Sequence, residues 1–239
     1  MTSNTATSSA PVAVVTGAGR GLGKALAAAL SARGWHVVID ARRAAEVIET
    51  AASVGNATAV AGDVTDAAHR DALVAAAEAL GRVDLLVNNA SDLGPSPLPH
   101  LGSYPLDGLR QVLETDVIAP LALTQLLLPA LRQAGGIVVN ISSDASVEAY
   151  EGWGGYGSAK AALDHLTRVL GEEEPAIRAY AVDPGDMRTE MHQNAFPGED
   201  ISDRPEPETV IPALLRIIDE RPPSGRHRAA DWAVTEVSS

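Results

Sequence analysis

The sequence contains no cysteine, which excludes a disulfide framework, thiolate catalysis and any metal site built on sulfur. Aromatic residues are scarce, 3% of 239 residues with a single phenylalanine, so Ala, Val and Leu have to fill the core. Positive charge is also short: 18 basic residues stand against 31 acidic ones, a formal net charge of −13. That balance argues against non-specific binding to nucleic acid or to an anionic membrane, and it suits solubility. The apolar run Ala25–Leu30 is too short to span a bilayer. Met1–Ala10 is polar and rich in Ser and Thr, with no basic start and no apolar centre. It reads as a disordered tail rather than a signal or transit peptide, and the chain is expected in the cytoplasm.

What is present is a regular alternation. Apolar, Val- and Ile-rich runs at Val12–Thr16, His36–Asp40, Thr58–Ala61, Leu85–Asn88, Ile137–Ile141 and Arg178–Val182 read as strands buried on both faces. Helical patterns lie between them at Gly21–Arg33, Ala44–Ala52, Asp66–Leu80, Leu106–Gln133 and Tyr156–Leu170. A last helix, Glu208–Glu220, is bracketed by prolines, and Gly225–Val234 is a poorly alternating candidate for a seventh strand. The order predicts an α/β fold: a doubly wound parallel sheet, Rossmann-like, of six or seven strands with helices on both faces. Residues 11–239 are expected to form a single catalytic domain. Right-handed crossovers bring every strand's C-terminal end to one edge, where ligands bind. The polar segments Thr16–Gly23, Asp63, Asn88–Ser91, Ser142–Ser143 and Asp183–Thr189 fall on that edge.

The run Thr16-Gly17-Ala18-Gly19-Arg20-Gly21-Leu22-Gly23 follows the first strand and opens a helix. A glycine turn there lets backbone N–H groups approach a pyrophosphate, and the helix dipole favours its negative charge. The spacing is G-x-x-x-G-x-G rather than G-x-G-x-x-G, and glycine-rich turns also occur without any ligand. The second strand ends Ile39-Asp40-Ala41-Arg42-Arg43. A carboxylate at such an end would bond a ribose 2′-hydroxyl, whereas arginine would take a 2′-phosphate.

With these residues the chain resembles the classical short-chain dehydrogenase/reductase family, from Val12 to about Thr189. The resemblance implies a nicotinamide-dependent oxidoreductase. In it the NAD-selecting acidic residue would fall on Ala41, Asp40 turns to the other side, and Arg20 and Arg42 match the basic positions of NADP-preferring members. NADP(H) is therefore expected over NAD(H). Asp63 and Val64 match the adenine contact, although Asp63 also fits a helix cap before Asp66. Asn88-Asn89-Ala90 is the family's N-N-A-G with Ser91 in place of glycine: Ala90 would line the adenine–ribose region and Asn88 would brace the sheet. Pro184, Gly185 and Thr189 match the P-G-x-x-x-T that holds the nicotinamide carboxamide.

Tyr156 and Lys160 form the family's Y-x-x-x-K. Residues i and i+4 share a helix face, so the ammonium lies near the phenol. A positive charge there favours phenolate and is expected to pull the tyrosine pKa down from about 10. The tyrosine can then pass a proton to or from a carbonyl oxygen while hydride moves. Lys160 would also bind the ribose hydroxyls. Ser143, thirteen positions before Tyr156, matches the catalytic serine; its neighbour Ser142 reads as structural. The fourth catalytic position, asparagine in the family, is Asp116 here. Beside Lys160 its carboxylate could keep the proton relay or lock the lysine.

For the substrate, Tyr150, Trp153 and Met187 are the first candidates, followed by Asp92, Leu93, Asp144, Glu148, Met191 and His192. Tyr150 and Trp153 equally suit ordinary packing. His192 has no ligand partner at metal spacing, so no metal site is expected. Asn88–Gly94, Glu151-Gly152-Trp153, Glu173-Glu174-Pro175 with Arg178, and Met187–His192 resemble sepiapterin reductase and related bacterial diketone reductases. That resemblance implies reduction of a ketone or vicinal diketone. The small-molecule partner is a carbonyl or alcohol, with neither nucleic acid nor membrane expected. A homodimer or homotetramer is expected from the Leu- and Ala-rich faces of Leu121–Leu131 and Ala161–Leu170. An NAD(P)-dependent biosynthetic alcohol dehydrogenase uses the same residues in reverse. A catalytically impaired cofactor-binding regulator is the non-enzymatic alternative.

Overall fold

In the computed structural model, residues 10–233 are described. Of the expected tail only Ala10 falls within them, as does Gly225–Ala233 of the last expected strand. Seven parallel strands form one sheet in the order β3-β2-β1-β4-β5-β6-β7. They are β1 (Val12–Val15), β2 (His36–Ala41), β3 (Ala57–Ala61), β4 (Leu85–Asn88), β5 (Ile137–Ile141), β6 (Arg178–Asp183) and β7 (Gly225–Arg228). The order in which strands are added reverses between β1 and β4, which opens a crevice at their C-terminal ends, the ordinary place for a ligand in such sheets.

Helices α1 (Gly21–Ala32), α2 (Ala44–Val54) and α8 (Ile211–Glu220) contribute to one face, and α3 (Ala67–Glu78) and α5 (Ala119–Ala134) to the other. Between them run α4 (Leu106–Leu113), α6 (Gly154–Glu173) and the short α7 (Glu190–Ala195). Every residue of β1 is buried, with Ala13 and Val15 in one core and Val12 and Val14 in the other. This is why the run shows no polar alternation: both of its faces are dry. Leu22, Leu26 and Leu30 of α1 recur at i+4 and pack on the first face; Leu123, Leu127 and Leu131 of α5 do so on the second.

The expected elements differ from the observed ones at several places. Helix α7 is not among the expected elements, and the last helix begins at Ile211 after a 3-10 turn at Pro207–Val210 rather than at Glu208. The long helix expected over Leu106–Gln133 contains a π-helical turn at Glu114–Ile118, so that α4 and α5 flank a widened turn carrying Asp116. The combined segment Leu106–Ala134 is long and apolar enough to cross a membrane, but Leu123, Leu127 and Leu131 of it pack on the sheet. Helix α6 begins at Gly154, two residues before Tyr156, which puts the tyrosine in its first turn. Strand β7 stops at Arg228, after which a short 3-10 turn takes over.

Candidate active site

A cleft of about 510 Å3 opens along the C-terminal edge, lined by residues that follow β1, β2, β3, β4, β5 and β6. Its floor is the turn between β1 and α1. Gly17 sits at φ +65°, and a Cβ there would meet Ala90 Cα at 2.8 Å, so only glycine fits. A Cβ on Gly19 would lie 2.9 Å from Ala41 Cβ. Arg20, at the N-cap of α1, makes no side-chain cap bond, and the first turn holds no acidic residue. The leading N–H groups of α1 are therefore free of any side-chain partner and suit a phosphate. On these grounds the cleft fits a dinucleotide.

Two expected cofactor residues stand behind this turn instead of in the cleft. Thr16 is buried, its hydroxyl accepting the N–H groups of Asn89 and Ala90, each at 3.0 Å. A Cβ on Gly23 would lie 2.5 Å from Asn89 Nδ2, so Gly23 allows helix and strand to close up. Asn89 donates to the carbonyls of Thr16 (2.8 Å) and Gly17 (3.1 Å), bracing the turn from below. Asn88 ties the middle of the sheet: its amide donates to Asn140 Oδ1 at 2.7 Å, and Asn140 donates to Thr167 at 2.7 Å.

At the end of the cleft beside β2, Asp40 borders the cleft but its carboxyl is buried beneath the β1–α1 turn. It accepts Gly17 N–H at 2.6 Å and His69 Nε2–H at 3.0 Å there. Burial pushes its carboxyl above the ordinary carboxylate range, against the pull of those hydrogen bonds. Ala41 leaves the lip open to three arginines, Arg20, Arg42 and Arg43, which line the cleft together. Burial and neighbouring Arg43 lower the Arg20 pKa. Asp63 closes this end beside Val64; it accepts from Thr65 N and Oγ1 at 2.9 and 2.8 Å, while Asp66 makes its own cap to Ala68 N–H. Although burial raises Asp63, the bonds from Thr65 and the charge of Arg42 hold its carboxyl below the usual range. Leu22 also lines the cleft, while Gly185 N–H is turned to Asp183 Oδ1 at 3.0 Å. Thr189 accepts His192 N–H at 3.2 Å as the N-cap of α7.

In the middle of the cleft Tyr156, 7% exposed, stands near Lys160, whose Nζ is 5.4 Å from the phenol ring centre. Lys160 donates to Ile141 O at 3.0 Å and lies 3.6 Å from Asp116 Oδ2. The expected fall of the tyrosine pKa does not occur in the cleft as it stands. Burial raises it and Asp116 adds to the rise, outweighing Lys160 and the hydroxyls of Ser91 and Ser143. Burial opposes the Lys160 charge, but Asp116 and Tyr156 push its pKa above the ordinary value. Asp116 is raised by its own burial against the pull of Lys160. Its carboxylate accepts Ser91 O–H at 2.9 Å and Asp92 N–H at 2.7 Å. Ser143 donates to Asp144 Oδ1 at 3.0 Å and accepts Ala145 N–H at 3.2 Å, while Ser142 is buried against Ser146.

The apolar wall beside Tyr156 joins Leu93, Leu98, Trp153, Met191 and Phe196. Trp153 meets Tyr156 edge-on at 5.7 Å and Phe196 at 6.0 Å. One substrate candidate is corrected. Tyr150 is 47% exposed and outside the cleft, its hydroxyl donating to Asp144 Oδ2 at 3.0 Å. Met187 lines the cleft and also packs against the core of the first face. Glu148 is exposed and outside the cleft lining, whereas Asp144 is part of it. Among the described residues, no group of three or more His, Asp or Glu is placed to hold a metal.

The family profile of the short chain dehydrogenases matches residues 11–200. The chain belongs to the short chain dehydrogenase family. It is 41% identical to an uncharacterized oxidoreductase of Mycobacterium tuberculosis over 191 residues, covering 79% of this chain and 74% of that protein. It is 34% identical to the 7alpha-hydroxysteroid dehydrogenase of Escherichia coli, covering 78% of this chain and 75% of that one. Its fold superposes on 3-ketoacyl-(acyl-carrier-protein) reductase from Brucella melitensis complexed with NADH. The TM-score is 0.83 at 26% identity, covering 91% of this chain and 96% of that one. This short chain dehydrogenase is thus an NAD(P)-dependent oxidoreductase acting on small molecules.

Among residues the sequence reading did not assign to the site, Arg43, Glu190 and Ser91 line the cleft and Arg226 supports it from behind. Arg43 and Glu190 meet across the cleft, a pairing of segments far apart in the chain. Ser91 is visible in sequence only as a missing glycine. Arg226, in the weak seventh strand, donates to the carbonyl of Ser143 at 3.1 Å, to Asp183 Oδ2 at 3.0 Å and to Asp164 Oδ2 at 3.1 Å. It fixes the backbone that carries Ser143.

Proposed function

We propose that this protein is an NADPH-dependent reductase of a ketone or diketone, reversible as an alcohol dehydrogenase, with Tyr156 as its general acid and base. The observation that carries the reading is the buried Tyr156 phenol, flanked by Lys160 and by the hydroxyls of Ser143 and Ser91. A bound reduced nicotinamide supplies hydride to the carbonyl carbon. Ser143 orients the carbonyl oxygen, Tyr156 gives it a proton, and the products are an alcohol and a phenolate beside Lys160. Lys160, kept charged by Asp116 and Tyr156, would stabilise that phenolate and bind the ribose hydroxyls of the cofactor.

The preference for NADP(H) is supported by Arg20, Arg42 and Arg43 around an Ala41 that offers no 2′-hydroxyl acceptor. The backbone of the β1–α1 turn with Gly17, Gly19, Gly21 and Leu22 would hold the pyrophosphate. Asp63, Val64 and Ala90 would hold the adenosine, and Pro184, Gly185 and Thr189 the carboxamide. The wall of Trp153 and Phe196 suits a planar or apolar ketone. Relatives named for a hydroxysteroid and a ketoacyl substrate favour the carbonyl–alcohol pair.

Residues 11–239 would act as one catalytic unit in the cytoplasm, which the acidic charge and the sheet-bound Leu106–Ala134 segment support. Exposed Ile118 and Leu126 beside α5 and Val169 on α6 support a homodimer or homotetramer through these helices. The test is to incubate the protein with a panel of ketones and diketones and either NADPH or NADH, following nicotinamide absorbance. NADPH-dependent turnover of at least one carbonyl is expected. Turnover with NADH alone would overturn the cofactor preference, and none with either would overturn the reductase reading.

A further inference from the structure

We propose that Glu190 is a specificity-determining residue: its carboxylate engages two of the three arginines that would receive a cofactor 2′-phosphate, Arg20 and Arg43, so that a phosphorylated cofactor displaces it and loosens this latch between α7 and the cofactor side. The inference rests on the reading of Arg20, Arg42 and Arg43 as a phosphate site. Glu190 is the first residue of α7, on the lip that follows β6, whereas the arginines belong to the opposite lip, after β1 and β2.

Across that gap the Glu190 carboxylate forms an ion pair with Arg20 and stands 3.6 Å from Arg43 Nη2. Arg43 has a second acidic partner, Glu46, at 2.6 Å. A carboxylate held between two guanidinium groups presents two anionic oxygens to the donors a phosphate would use. The far side of the same lip is anchored separately. Arg188 pairs with Glu206 and donates its N–H to Pro205 O at 2.8 Å, and His192 meets Arg204 at 3.3 Å. Glu190 therefore gives this lip a charged tie to the cofactor side, beside the contact of Thr189 with Gly21 and the bond from Ser96 to Asn194 O.

The chemistry separates the two cofactors. A 2′-phosphate carries more charge than one carboxylate and has three acceptor oxygens, so it can take Arg20 from Glu190. An unphosphorylated ribose has no such group, and the Glu190–Arg20 pair can persist while it binds. The phosphorylated cofactor thus binds against the loss of one exposed ion pair, and the loosened α7 is adjacent to Thr189 and to the apolar wall at Met191 and Phe196. Loading the adenosine end would in this way loosen the segment that borders the substrate.

The experiment compares adenosine 2′,5′-bisphosphate with adenosine 5′-monophosphate by titration calorimetry at low ionic strength, on the full chain and on Glu190→Gln. Exposed ion pairs contribute up to about 1 kcal/mol, so Glu190→Gln is expected to tighten the bisphosphate by about threefold to fivefold. Its affinity for the monophosphate should not change. If the wild type prefers the bisphosphate and Glu190→Gln does not widen the preference, the latch is wrong and the arginine site stands. If neither protein prefers the bisphosphate, the arginine site fails and the latch with it. An equal gain for both ligands in Glu190→Gln would also overturn the latch, since it would report general charge rather than competition for the 2′-phosphate.

Discussion

Replacing Asp40 by alanine tests whether the second strand faces its ligand as described. Asp40 is 1% exposed, and its two oxygens take Gly17 N–H at 2.6 Å and His69 Nε2–H at 3.0 Å. Alanine would leave both donors without a partner in a site that water barely reaches. Each orphaned donor costs about 1–3 kcal/mol. The carboxyl's own burial is unfavourable, as its raised pKa records, and removing it returns part of that cost. The net loss should lie in the lower half of the sum, about 3 kcal/mol. In a chain of this size that corresponds to a fall in Tm of roughly 6–12 °C. Urea unfolding followed by fluorescence of the three tryptophans would measure it. Asp40→Asn keeps an acceptor for Gly17 and should lose less. An Asp40→Ala protein of wild-type stability whose preference moved strongly toward NADPH would refute the reasoning, because Asp40 would then have faced the ribose.

Tyr156→Phe should lower turnover at least about a hundredfold while NADPH affinity, read by fluorescence titration, stays near normal; near-normal rates would remove the tyrosine from its role. Reduction needs the phenol protonated, and burial with Asp116 raises its pKa. Reduction should therefore hold at neutral pH and fall only in the alkaline range, while oxidation rises there. Asp116→Asn removes a negative charge that favours the protonated phenol, so both limbs should move to lower pH; unmoved limbs would detach Asp116 from the site's electrostatics. Light scattering should report a dimer or tetramer at micromolar concentration, and a monomer throughout would leave Leu126 and Val169 without the proposed partner face.

How much of this was legible depended on the range of the interactions concerned. The strands were readable because burial on both faces leaves Val, Ile and Leu with no polar alternation, a local property of runs such as Val12–Val15. Tyr156 and Lys160 were readable as a pair because i and i+4 share a helix face, whereas Ser143 was picked out only by the family resemblance. The π turn at Glu114–Ile118 has no periodic signature, and Tyr150 gave none of its orientation. Gly23 looked like a phosphate residue although its surroundings ask only for a missing Cβ. The tyrosine pKa was expected to fall because Lys160 is visible in sequence, whereas the depth of burial that outweighs it is not. Arg226 and Glu190 act across loops, and nothing in their own neighbourhoods announces the partner.

Ser91 and Asp116 show how two departures from a family pattern can explain each other. In sequence they stand 25 positions apart, one where the family has glycine and the other where it has asparagine. In the fold Ser91 O–H donates to Asp116 Oδ2 at 2.9 Å, on the same oxygen that lies 3.6 Å from Lys160. A glycine could offer that oxygen no side-chain donor, and Asp116 has no exposed surface through which water could serve instead. The two substitutions should therefore be coupled. Ser91→Gly alone leaves a buried carboxyl short of one hydrogen bond, at about 1.5–3 kcal/mol. Asp116→Asn alone removes the counter-charge of Lys160. The double variant, which restores the family's pair, should be less destabilised in urea than the two single losses together, by about 1 kcal/mol. Losses that add within about 0.5 kcal/mol would mean that Ser91 and Asp116 are independent, and that the hydrogen bond between them contributes nothing to holding the carboxylate beside Lys160.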